Sequence, residues 1–258
     1  MMNLLSKRTR LIAAIMTLLV LMLSSVTGAA AAGTTDPSLV AYWTFDEGNG
    51  ATANDASGYG RTATLNNGAS FSNAAFPAHK FADPFALNLV GTSHQYVSAG
   101  TGINLAKTSF TVMAWAKRST TAGKQWVIGY GTNSTDKALV LGFRDNDHVT
   151  CAFYNDDLDT RDFPDLSGTF ADANWHHLAC TYDATTRRRI VYVDGQGWYA
   201  DGSNAIQANG TFNIGRVPWS DGYFSGNIDD VRVYNRALSE QAIKWLAAGN
   251  LDTALWMR

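Results

Sequence analysis

The chain has 258 residues, with 20 basic and 22 acidic side chains and a formal net charge of −2. That balance excludes a strongly basic nucleic-acid binder, and 46% hydrophobic residues with 12% aromatics exclude a disordered chain. Glu47 and Glu240 are the only glutamates, so the acid content is almost entirely Asp, which with 23 Gly signals a chain of many turns.

The N-terminus reads as a secretory leader over residues 1–32. Lys7, Arg8 and Arg10 form a basic region, Leu11 to Leu23 is an uncharged run too short to span a bilayer comfortably, and Ala30-Ala31-Ala32 fits a cleavage site. Removing it leaves 17 basic and 22 acidic residues, a net charge of −5. An acidic mature protein argues against nucleic acid and anionic membrane as partners. A secreted location, extracellular or periplasmic, is expected.

From Leu39 onward, short apolar runs alternate with turn clusters. The clearest strand candidates are Leu39–Phe45, Ser109–Arg118, Gln125–Tyr130, Ala138–Phe143, His148–Tyr154, Trp175–Asp183, Arg189–Asp194 and Ile228–Tyr234. Weaker ones lie near Arg61–Leu65, Ala86–Leu89, Gln95–Ser98 and Thr211–Gly215. Asn66-Asn67-Gly68, Asp145-Asn146-Asp147, Asp194-Gly195, Asp201-Gly202 and Asp221-Gly222 punctuate them. About a dozen strands without a linker predict one all-β domain over 36–250, built from two packed antiparallel sheets. One short C-terminal helix is expected, with Ser239 as N-cap, Leu238 and Ile243 as hydrophobic staple and Gly249 just past its end.

Pairing His148–Tyr154 antiparallel with His177–Asp183, with Cys151 opposite Cys180, puts Val149 against Tyr182 and Phe153 against Leu178 on one apolar face. This register predicts a Cys151–Cys180 disulfide, in keeping with an oxidising compartment.

Four patches in order then resemble the laminin-G-like domains of the concanavalin A-like lectin/glucanase superfamily. They are Leu39 to Gly48 (LVAYWTFDEG), Ser109 to Trp115 (SFTVMAW), Trp175-His176-His177 with Val193-Asp194-Gly195, and Phe224 to Ser239 (FSGNIDDVRVYNRALS). The resemblance implies a jelly-roll sandwich of two curved antiparallel sheets with first and last strands adjacent. It also implies a group that hosts lectins, adhesion modules, pentraxins and polysaccharide-cleaving enzymes. The retaining-glucanase signature of this group resembles Glu-x-Asp-x-x-Glu, which this chain lacks, and Gln125-Trp126-Val127 departs from the Gln-x-His of the alginate-lyase branch. Asp156, Asp157, Asp159, Asp162 and Asp165 read as solvated loop acids. No zinc spacing, nucleophile elbow or His-Glu-x-x-His motif occurs. His176 and His177 are adjacent on a strand, point to opposite faces and read as structural.

Relatives that carry calcium suggest an ion held by Asp46 and Asp230, brought together if first and last strands are neighbours. One of the adjacent Asp229 and Asp230 should be buried or liganded, because they face opposite ways. Trp43, Trp115 and Trp175 fall within strand patterns and read as core, whereas Trp126, Tyr154, Trp198, Tyr199, Trp219 and Tyr223 fall in or near loops. Trp198, Tyr199, Trp219, Tyr223, Trp126 and Arg144 are therefore the candidate ligand-binding residues, with Asp145 and Asn155 as further hydrogen-bonding groups. The expected function is a secreted, non-catalytic module binding extracellular glycan or glycoprotein. A polysaccharide hydrolase or lyase of the same fold, or an adhesion module that binds protein, are the alternatives.

Overall fold

The computed structural model describes residues 36–75, 78–121, 123–163, 170–219 and 222–251. The leader expected over 1–32 lies outside them, as do Asp165 and Asp221. No helix among the described residues is long and apolar enough to cross a membrane.

The strands, in order, are β1 (Leu39–Trp43), β2 (Thr52–Ala53), β3 (Ala63–Asn66), β4 (Ser70–Ser72), β5 (Ala86–Leu89), β6 (Tyr96–Ser98), β7 (Phe110–Arg118) and β8 (Gln125–Gly131). They continue as β9 (Ala138–Phe143), β10 (Val149–Ala152), β11 (Asp157–Asp159), β12 (Trp175–Asp183), β13 (Arg188–Val193), β14 (Gln196–Ala200), β15 (Thr211–Ile214) and β16 (Gly226–Tyr234), followed by helix α1 (Glu240–Ala247). One antiparallel sheet runs β14-β13-β12-β7-β16-β5-β4, with β1 also paired to β16; the other runs β11-β10-β9-β8-β15-β6-β3-β2. The first and last strands are thus neighbours, and the two packed sheets of the expected jelly roll are present. The helix begins where expected: the Ser239 hydroxyl accepts from the Ala242 N–H, and Gly249 takes a φ of +73° just beyond the last turn.

Alternation sorts the residues into layers. Phe110, Val112, Ala114 and Ala116 of β7 face the other sheet, meeting Trp43, Phe143, Phe153, Phe212 and Ile228 in the main core. The opposite face of β7 is buried too, because Leu238 before α1 and Ala242, Ile243 and Leu246 of the helix pack over Met113, Ala179, Tyr192 and Tyr234. A strand covered on both sides has no polar face to show, which explains the apolar run Val112–Ala116 in the middle of β7.

The disulfide joins Cys151 to Cys180, with Cα atoms 6.0 Å apart, but the strand pairing from which it was expected does not form. Cys151 sits in β10 between Leu141 of β9 and Leu158 of β11. Cys180 sits in β12 of the other sheet, between Val112 of β7 and Val191 of β13. The bond therefore crosses the core and ties the sheets face to face. Period-two patterning fixes which face a residue occupies and not whether its partner lies beside it or across the sandwich. Phe153 does meet an aromatic of β12, but it is Tyr182, with ring centroids 5.3 Å apart across the interior.

A candidate ligand groove and a buried acidic cluster

The outer face of the second sheet carries a groove. Trp126 of β8, Val140 of β9 and Ala152 of β10 form its floor, packed with Val217, and Trp219 leans on them from the segment after β15. That segment lies directly on the sheet at Gly129, where any Cβ would collide with the Arg216 carbonyl and the Val217 Cα. Gly222, at a φ of +64°, passes equally close to the Trp126 indole. Lys124, Arg144, Tyr154, Asn155 and Asp157 complete the walls of a cavity of about 240 Å³. Tyr154 and Trp219 meet edge to face, with centroids 5.8 Å apart. The Arg144 guanidinium lies 6.0 Å from the Trp126 ring, bonds the Asp157 carboxylate through one NH2 and approaches Asp159 Oδ2 at 3.3 Å through Nε.

Of the aromatic and basic candidates, Trp126, Arg144 and Trp219 converge here. Tyr223 does not line the groove; its ring lies tilted against His94, with centroids 4.7 Å apart, and its hydroxyl accepts from Arg216. Trp198 and Tyr199 require a correction, because they lie on strand β14 and not in a loop. Alternation turns Trp198 into the core, 9% exposed, and leaves Tyr199 53% exposed on the opposite sheet, beneath Arg188 at 4.3 Å. Trp198 is thus a core residue and Tyr199 is remote from the groove.

The loop reading of the acids after Asn155 is also corrected. Asp157-Leu158-Asp159 forms edge strand β11, in which Leu158 enters the core and Asp159 is buried. A polar–apolar–polar triplet is a strand signal that was open to reading. Lys124 carried no such signal.

A second constellation lies on the outer face of the first sheet. β16 shifts register against β7 between Asp229 and Arg232, and Asp230 adopts a φ of +50°. This bulge suspends the alternation that was expected to separate the two aspartates, and both are buried. Asp230 accepts from Tyr42 Oη and, at 3.0 Å, from Arg232, while His79 Nε2 stands 3.4 Å away. Asp229 Oδ1 accepts from the Asp230 N–H, and its Oδ2 is buried with no donor among the described residues; Asp83 Oδ1 is in the same position. Asp46 joins the group and accepts from the Phe85 N–H at 3.3 Å. Burial and the neighbouring Asp83 push the Asp46 carboxyl up to about 7. Burial, Asp230 and Asp83 raise Asp229 well above the carboxylate range. His79, Asp83 and Asp229 each offer a ligand atom within 4.8 Å of the others.

The two strand histidines separate as expected. His177 is buried against Trp115 and pushed down to about 3 by burial and then by Arg232. His176 bonds Asp194 at 2.8 Å and Asp172 at 3.0 Å. Burial pulls it down, but these carboxylates outweigh that and raise it above its usual value.

The model of the Laminin_G_3 family, described as the concanavalin A-like lectin/glucanases superfamily, matches residues 91–244. No curated protein matches the chain. Domain 4 of AbnA, a GH43 extracellular arabinanase from Geobacillus stearothermophilus, solved in complex with arabinotriose, is similar with a TM-score of 0.63 at 21% identity, covering 81% of this chain and 98% of that one. The binding domain of Paraclostridial Mosquitocidal Protein 1 is similar at 0.58 and 14% identity, covering 81% of this chain and 52% of that one. Trypanosoma rangeli sialidase is similar at 0.59 and 21% identity, covering 83% of this chain and only 33% of the sialidase. At these identities the likeness is one of fold. With the family model matched over more than half its length, the chain belongs to the Laminin_G_3 family of the concanavalin A-like lectin/glucanases superfamily.

Proposed function

We propose that this protein is a secreted, non-catalytic module that binds extracellular carbohydrate, free or on a glycoprotein, in the groove over Trp126. The observation that carries the reading is convergence. Trp126, Arg144 and Trp219 come from three separate segments and meet in one cavity with Tyr154, Asn155 and Asp157. Flat aromatic faces beside planar polar groups are what a sugar ring requires. The arabinotriose complex of the AbnA domain supports it as a precedent for glycan binding on this fold.

Calcium fits the acidic cluster. Carboxylate oxygens are its ligands, and buried acceptors on Asp83 and Asp229 lack a donor. Asp83 and Asp229, whose ligand atoms lie within 4.8 Å of each other and of His79, would hold the ion, with Asp46 as a neighbouring carboxylate and Asp230 fixed behind them by Tyr42 and Arg232. Bound there, it would cross-link the segment before β5 to β16.

Calorimetric titration with the best glycans from an array tests the groove. Trp219→Ala is expected to lose about tenfold or more in affinity, while Tyr199→Ala on the opposite sheet binds as the unaltered protein does. Equal binding by Trp219→Ala, or release of reducing sugar or unsaturated product by the unaltered protein, would contradict the proposal.

A further inference from the structure

The charges of the groove also bear on which glycan it takes, an inference that rests on the carbohydrate reading above. Arg144 is the cation aimed across the Trp126 floor, and it is already matched. Its NH2 group bonds Asp157, whose side chain is 48% exposed, and its Nε faces the buried Asp159 at 3.3 Å. Lys124 is the second cation of the cavity wall, so that among the described residues two cations stand against Asp157 and the buried Asp159 behind it. An anionic ligand entering this site would meet the exposed Asp157 oxygen before a guanidinium that two acids already neutralise. Opposite charges favour binding only where the cation is not spoken for, and like charges brought together cost free energy.

The remaining groups suit hydroxyls. Asp157 accepts, Lys124 and the Asn155 amide donate, and Tyr154 and Trp219 offer apolar walls to C–H faces. The cavity, about 240 Å³, is smaller than the roughly 300–1,000 Å³ of pockets for drug-sized ligands. It has room for one sugar unit against its floor.

We infer that the groove selects uncharged sugar residues and discriminates against uronic, sialic and sulfated units. A glycan array carrying neutral, uronic, sialylated and sulfated oligosaccharides, read at low and high sodium chloride, tests this. Hits confined to neutral glycans are expected, with a signal that changes by less than about twofold between the salts, because no net ion pairing is there to be screened. Asp157→Asn, which leaves one cation unmatched, is expected to raise the ratio of acidic to neutral binding by about fivefold. Hits confined to acidic glycans, falling about tenfold at high salt, would overturn the selectivity while leaving glycan binding in place. An array with no hit of either kind would overturn both readings together.

Discussion

Replacing Cys151 and Cys180 together by alanine is expected to lower the free energy of unfolding by about 3.5 kcal/mol. The cysteines lie 29 residues apart, and closing a loop of that size removes this much entropy from the unfolded chain in the loop-closure model. The position of the bond adds to the expectation. It is the covalent tie between the two sheets of the sandwich, with both sulfur-bearing residues fully buried in the core. Neither cysteine exchanges its partner for water in the folded state, so alanine also leaves a void where the sulfurs packed. For a domain of this size the loss corresponds to about 7–14 °C in melting temperature. Urea unfolding of the paired variant beside the unaltered protein measures it. A difference under about 1 kcal/mol would show that the sheets are held without the cross-core tie.

Calcium is expected to raise the melting temperature by about 5–10 °C at a hundredfold excess over its dissociation constant. The size of the shift should depend on pH, and the direction follows from the carboxyls. Asp46 is pushed up to about 7 and Asp229 is raised further from its usual range, both by burial first and neighbouring acids second. A carboxyl whose folded value is raised is stable in its protonated form. Its contribution is present at low pH and is lost as pH rises through the folded value, where the unfolded chain ionises freely. Without an ion, stability should therefore fall as pH rises through about 7. A divalent ion replaces the protons, so the calcium shift should be larger at about pH 8 than at about pH 5.5. Asp229→Asn should shrink it. Differential scanning calorimetry in calcium and in chelator makes the comparison, and identical melting curves at both pH values would remove calcium from the account.

The fold was legible because its signals are local and repeated. The short apolar runs of Trp175–Asp183 and Ala138–Phe143, the Ser239 cap and the turn glycines each specify an element without knowledge of the rest. What the sequence left open was long-range. Patterning pairs Cys151 with Cys180 but does not distinguish neighbours in one sheet from partners across the sandwich, because face and neighbour are separate questions for a strand. In sequence Trp198 reads as a surface platform, because the Asp-Gly turns on either side of it resemble a loop and β14 between them is only five residues long. Asp229 and Asp230 were assigned to opposite faces by a rule that holds for regular strands and fails at a bulge. The groove was half legible: its aromatics could be guessed from their turns. Asp157 could not be brought to Arg144 without knowing that β11 adds to β10 at the sheet edge.

Ligand is expected on the face over Trp126. A crystal structure of the protein soaked with its best array glycan tests it most directly. The expected result is one sugar ring against Trp219 and Trp126, with hydroxyl oxygens within hydrogen-bond reach of Asp157 and Asn155. Sugar density at Tyr199 and Arg188 on the opposite sheet, with the Trp126 groove empty, would contradict it.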